Sequence, residues 1–167
     1  EKQSLVFYDD DASGKPGDGE PFKGEFRSHI LGDATGSGIL VPLFDSMKVG
    51  KGKRIPYSQF VKLAAGWHYI EIAGGADVAV RPLNPEYVKI GKVKLTWTGN
   101  KPTVPDQLVI QGRGDYAGAI FEVAGGKPVE VPAGEYSVIW GRIAHGKGAR
   151  MQTAQIYPGE ESKSFVV

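Results

Sequence analysis

Glycine and proline fall so densely along this chain that a long helix has nowhere to form. There are 24 glycines and 11 prolines in 167 residues, spread over the whole length. In a helix interior glycine costs about 1 kcal/mol and proline about 3 kcal/mol relative to alanine, and no stretch between them carries a clean helical stripe of apolar residues. The same residues bound strands well. The intervening stretches alternate or are rich in β-branched residues, and strands are expected at Leu5–Tyr8, Ile39–Phe44, Gln59–Leu63, Trp67–Ile72, Val78–Val80 and Val93–Thr98. In the second half they are expected at Gln107–Ile110, Ala119–Val123, Val129–Val131, Tyr136–Trp140, Met151–Ile156 and Ser164–Val167. An all-β chain follows, arranged as an antiparallel β-sandwich or as two small ones.

A weak internal repeat favours two modules. Ala65-Gly66 recurs as Ala133-Gly134 and Gly91 as Gly159, both 68 residues apart, and the apolar positions around the Ala-Gly pairs keep step. Val61 and Leu63 correspond to Val129 and Val131, and Ile70 and Ile72 to Val138 and Trp140. A fixed offset preserves which side chains face inward, because a slip of one residue inverts a strand. The expected unit is a strand, a tight Ala-Gly turn and a second strand, which places Trp140 in a core. The expected boundary lies near Gly91–Pro105, giving a first module over 1–95 and a second, smaller one over 96–167.

At 41% hydrophobic the chain can build a core, and its charged residues nearly cancel, leaving a net charge of +1. That balance argues against an obligate nucleic-acid binder, which carries a strongly basic domain or stripe. Lys48, Lys51, Lys53 and Arg54 form a short basic run that reads as a solvated loop. With no cysteine, disulfides, thiolate metal sites and cysteine nucleophiles are ruled out. No apolar run reaches the ~18 residues of a membrane span. A start at Glu1 rather than methionine reads as a processed or trimmed chain.

The sharpest chemical pattern is D-D-D-A-S-G-K-P-G-D-G-E, from Asp9 to Glu20. Oxygen-bearing residues at its first, third and fifth places, a glycine at the sixth and an acid at the twelfth match the spacing of a calcium loop. Calcium takes six to eight oxygen ligands at about 2.3–2.6 Å, so a short loop must turn sharply, which Gly14 permits. The candidate ligands are Asp9, Asp11, Ser13 (directly or through water), the Lys15 carbonyl and Glu20, with Asp18 beside or in place of Glu20, and Asp10 pointing away. The preceding Leu-Val-Phe-Tyr is strand-like and Pro21 follows closely, so this is not an EF-hand. A metal-free acidic surface loop is the alternative.

Val6-Phe7-Tyr8-Asp9-Asp10-Asp11, then Gly19-Glu20-Pro21 and Phe22-Lys23-Gly24, together with the later Pro132-Ala133-Gly134-Glu135-Tyr136, resemble the calcium-binding B-type modules of Gram-positive surface adhesins. The resemblance is specific over about 20 residues. It implies prealbumin-like or immunoglobulin-like sandwiches, a structural calcium ion and a secreted, periplasmic or cell-surface location.

The remaining motifs are weaker. His29, His68 and His145 have no metal-ligand spacing among them, no serine sits in a nucleophile elbow, and no carboxylate pair is singled out for hydrolysis. An enzyme is therefore not expected. Arg113-Gly114-Asp115 reads as a turn, although the tripeptide is one some integrins recognise. Gly32–Gly38 lacks the lysine and helix of a phosphate loop. Arg142, His145, Lys147 and Arg150, broken by glycines, read as a long hairpin tip. Alternation puts Trp67 and Tyr69 together, opposite Ile70 and Ile72. Such a pair stacks on a sugar or anchors a protein, or else packs against the second module. The expected role is scaffolding, adhesion or partner binding through a protein or glycan at a surface face. The alternatives are a carbohydrate-binding module and, behind it, an enzyme on extracellular polymer.

Overall fold

The computed structural model describes residues 5–8, 46–73, 77–98, 104–159 and 163–167. The chain divides into two units, Glu1–Tyr87 and Val88–Val167. All the described strand pairs are antiparallel.

In the first unit, β1 (Leu5–Tyr8), β2 (Ser46–Val49) and β3 (Arg54–Pro56) form one three-stranded sheet. β4 (Phe60–Leu63), β5 (Gly66–Ala73) and β6 (Asp77–Pro82) form another, with β5 in the centre. The pairings Leu5 with Val49 and Met47 with Ile55 set four apolar side chains on one face of the first sheet. They meet Val61, Leu63 and Ile70 of the second sheet in a core that also holds Tyr57. Met47 and Ile70 are wholly buried, and removing either from water is worth about 1.5–3 kcal/mol. The basic run expected as a loop is instead the β2–β3 hairpin. Lys48 and Arg54 pair across it and Lys51 and Lys53 stand exposed at its tip, where Gly50 takes a positive φ of 56°.

The second unit holds β7 (Ile90–Val93) paired with β10 (Val129–Pro132), and a larger sheet ordered β12–β11–β8–β9. Its strands are β8 (Gln107–Gly112), β9 (Ile120–Glu122), β11 (Glu135–His145) and β12 (Gln152–Ile156), and β13 (Phe165–Val166) pairs with the start of β11. Residues 94–98, expected as strand, have no strand partner among the described residues and are not one.

A bulge in β11 divides the apolar residues of this sheet between its two faces. Val138 pairs with Ile110 and Trp140 with Val109, with Ile139 as the extra residue. Even spacing in sequence puts Val138 and Trp140 on one face, but the bulge sends Trp140 to the other side with Val109. Both are nearly inaccessible, at 2% and 1% exposure, so Trp140 is a core residue as its place in the repeat implies.

The two Ala-Gly segments, alike in sequence, do different things. Around Ala64-Ala65 the chain makes a hairpin in which β4 pairs with β5, Leu63 facing Gly66. Gly66 adopts a φ of 119°, open to glycine and strained for other residues. Around Ala133-Gly134 the chain crosses instead between sheets, since β10 pairs with β7 and β11 with β8. Tyr136, fully buried, fastens this arch by donating its hydroxyl to the Pro132 carbonyl at 2.8 Å, the geometry of a tyrosine corner. At the matching position of the hairpin stands His68, whose Nδ1 lies 3.0 Å from the Gly66 carbonyl. Gly91 and Gly159 also part company, because a Cβ added at Gly91 would meet Val167 whereas one added at Gly159 would stand in open space.

Burial, reinforced by the neighbouring Tyr116, holds the Tyr136 phenol well above its usual value of 10. The unfolded chain releases this proton first, so the contribution is intact below pH 10 and declines above it by about 1.4 kcal/mol per pH unit. Denaturation series from pH 9 to 11.5 are expected to fall less steeply for Tyr136→Phe than for the wild type. Equal slopes would show that the phenol ionises as readily folded as unfolded.

Candidate functional site

The most developed surface constellation lies on the β4–β5–β6 sheet. Because β5 alternates, Trp67, Tyr69 and Glu71 share the face opposite Ile70, and neighbouring strands supply the rest of the surface by register. Phe60 stands opposite Tyr69 on one side and Arg81 on the other, while Lys62 stands opposite Trp67. The Phe60 and Tyr69 rings meet edge to face with centroids 5.2 Å apart, and Arg81 pairs with Glu71 at 3.2 Å. Trp67 and Tyr69 are half-buried and Phe60 is buried. The Leu83 N–H donates to the Trp67 carbonyl at 2.8 Å, and β5 is bonded on both edges, so the aromatic pair sits on a rigid strand. The result is two adjacent rings bordered by Lys62, Glu71 and Arg81, able to stack on a flat apolar surface and to hydrogen-bond around it. Alternation within β5 was sufficient to place Trp67 and Tyr69 together. Phe60, Glu71 and Arg81 depend on register between strands, for which sequence spacing gave no signal.

The other sequence candidates are scattered. His68 engages its own turn, His145 is exposed at the end of β11, and His29 lies outside the described residues. Among the described residues no three His, Cys, Asp or Glu side chains gather closely enough to hold a metal ion. The proposed calcium ligands Asp9, Asp11, Ser13, Lys15, Asp18 and Glu20 all lie outside the described residues, as do Gly32–Gly38 and Ile39–Phe44.

Arg113-Gly114-Asp115 leads into a short 3-10 turn, Gly114–Tyr116, with all three residues exposed. Gly114 takes a φ of 57°, the Tyr116 N–H bonds the Arg113 carbonyl at 3.1 Å, and Arg113 pairs with Glu135 at 3.4 Å. The tripeptide serves as a turn, as expected.

The basic hairpin departs from expectation at one residue. His145, Lys147 and Arg150 do stand at or beside the β11–β12 tip, but Arg142 lies within β11 and grips Asp106 through both Nε and Nη2. Its side chain is only 12% exposed, so this fork is a structural clamp between β11 and the segment entering β8. The Asp106 N–H also bonds the Arg142 carbonyl at 3.0 Å. Breaking a partly buried, charge-assisted pair leaves the other charge poorly solvated. Arg142→Ala is expected to lower stability in urea by about 1–3 kcal/mol, and a change within experimental error would mean the clamp carries no net stability.

No family model matches the chain, and no curated protein or solved structure does either. Among the described residues no helix is long and apolar enough to cross a membrane.

Proposed function

We propose that this is an extracellular or cell-surface β-sandwich protein that scaffolds or adheres by binding a partner. Trp67 and Tyr69 are its contact residues in this reading, and a calcium ion held by Asp9, Asp11, Ser13, Lys15, Asp18 and Glu20 stabilises it. The observation that carries the binding role is the adjacency of Trp67 and Tyr69 on one face of a doubly bonded strand, with charged groups around them. Large rigid aromatics concentrate binding free energy, and a polar border excludes water around them. The extracellular setting and the calcium ion rest on the acidic spacing and on the likeness to B-type adhesin modules. Binding alone accounts for this role, and no bond need be made or broken.

A glycan is the second reading, favoured by one feature: two neighbouring rings with Glu71, Arg81 and Lys62 within the same sheet face suit a sugar ring and its hydroxyls. Electrophoresis of the chain through gels containing soluble polysaccharides, with immobilised extracellular-matrix proteins assayed in parallel, separates the two. Trp67→Ala and Tyr69→Ala are each expected to weaken whichever binding is found by about tenfold or more. If both variants bind like the wild type, this face is not the contact. Calorimetry on metal-stripped chain tests the ion, since saturable calcium binding absent from Asp9→Ala/Asp11→Ala is expected with a rise in melting temperature. No heat at millimolar calcium removes the ion from the proposal.

A further inference from the structure

The two-stranded β7–β10 ribbon is narrower than the sheet in the same unit, and beside β7 it leaves an open groove of about 470 Å³. Val93 and Leu95 line it from β7 and the residues that follow, and Leu108, Ile110, Val138 and Phe165 line it from the larger sheet. The volume and apolar lining are in the range of ligand sites. The groove has a second property that an ordinary apolar cleft lacks.

Among the described residues its wall is a strand edge with no partner strand. The Ala133 N–H donates to the Lys89 carbonyl at 2.7 Å. In an antiparallel ladder bonded pairs alternate with unbonded ones. Val131 with Gly91 and Val129 with Val93 are therefore the bonded pairs of β7 and β10, and Pro132 with Ile90 and Glu130 with Lys92 are not. The N–H and C=O of Ile90 and Lys92 point away from β10, and among the described residues no strand pairs with that edge. Burial alternates from exposed Ile90 through exposed Thr96, so the in-and-out pattern of β7 carries on past the end of its ladder. At Gly91 the inward side is already occupied, because an added Cβ would lie 2.4 Å from a Val167 methyl. The groove begins where Val167 stops.

We propose that this edge and groove accept an extended peptide from a partner protein, which adds to β7 as an antiparallel strand. Its bonds to Ile90, Lys92 and the following residues would complete the ladder, and its alternate side chains would fill the groove. Those inward residues are apolar. The outward ones are acidic, because Lys92 and Lys94 are exposed on that edge and Lys92 already faces Glu130 across β10, so an acid on its free side continues the alternation of charge. This proposal does not rest on the Trp67–Tyr69 face.

The probe is a fluorescein-labelled nonapeptide of alternating glutamate and valine, followed by anisotropy with the full chain. In the proposed register a glutamate lies opposite Lys92 in a bonded pair, so the glutamate N–H groups point at β7 and the valine N–H groups away. N-methylation at the glutamates is expected to weaken binding by about tenfold or more, and N-methylation at the valines to leave it within about twofold. A lysine–valine peptide is expected to bind at least about tenfold more weakly than the glutamate form. Lys92→Pro removes the free-edge N–H without touching the β10 ladder, a substitution that sheet edges tolerate, and is expected to abolish binding with the fold intact by circular dichroism. The proposal is overturned if the nonapeptide fails to bind, if both methylated forms bind alike, or if folded Lys92→Pro binds like the wild type.

Discussion

Tyr136→Ala is expected to cost the second unit about 3–5 kcal/mol, the range for removing a buried aromatic ring, which is a large share of the roughly 5–15 kcal/mol by which an ordinary domain is stable. The ring is fully buried, stacked on Phe165 with centroids 6.2 Å apart and tilted against Phe121 at 6.4 Å. Deleting it opens a cavity among three strands and takes the Tyr136 hydroxyl from the Pro132 carbonyl. Tyr136→Phe separates the two effects. It keeps the packing and loses the hydroxyl, so about 1–2 kcal/mol is expected. Urea denaturation of both variants decides the matter. Equal losses would show that the hydroxyl tie governs the arch, and a small loss in the alanine variant would mean the surrounding rings collapse into the space.

Gly112→Val is expected to be nearly as damaging, for a steric reason. An added Cβ at this position would lie 2.3 Å from the Tyr116 carbonyl oxygen and 2.7 Å from its Cβ. The obstacle is backbone of the 3-10 turn, so no rotamer change relieves it. The turn itself is tied down, because the Gly112 N–H bonds the Ala119 carbonyl and the Ala119 N–H bonds Tyr116, both at 2.8 Å. Overpacking of this kind costs about 1–3 kcal/mol and sometimes more. Gly112→Ala should already shift the midpoint, and Gly112→Val should do so further. A wild-type midpoint for both would mean the Arg113–Ala117 segment moves freely aside.

Local pattern was enough to find most of the strands and not enough to pair them. Trp67 and Tyr69 were placed together by alternation alone. β2 and β3 were hidden because lysines and glycines dominate residues 48–54, although Met47, Val49 and Ile55 carry the inward face. The reverse happened at 94–98, where alternation is present but no strand lies alongside, and a strand is defined by its partner. The Ala-Gly repeat is the clearest limit. Its two copies share their apolar spacing, yet Pro132, Tyr136 and the distant Tyr116 ring, 2.8 Å from where a Gly134 Cβ would be, turn one copy into an arch. At the candidate site the same division holds, since Trp67 and Tyr69 are one strand's doing while Phe60 and Arg81 arrive by register.

The packing of Val167 on Gly91 has a consequence for the order of events during synthesis. Hairpins such as β4–β5 join residues a few places apart and close within microseconds. The second unit needs its last residues for completion: β13 must pair with β11, and the Val167 N–H must reach the Gly134 carbonyl. Contacts between residue 91 and residue 167 form only once the intervening chain has been made. While the ribosome is still adding residues, β7 waits with both edges of its ladder unclaimed until β10 arrives, and its inner face stays open until Val167 does. In the first unit the β2–β3, β4–β5 and β5–β6 pairs are local and only β1 joins from afar, whereas the second is held in suspense until translation delivers residues 165–167.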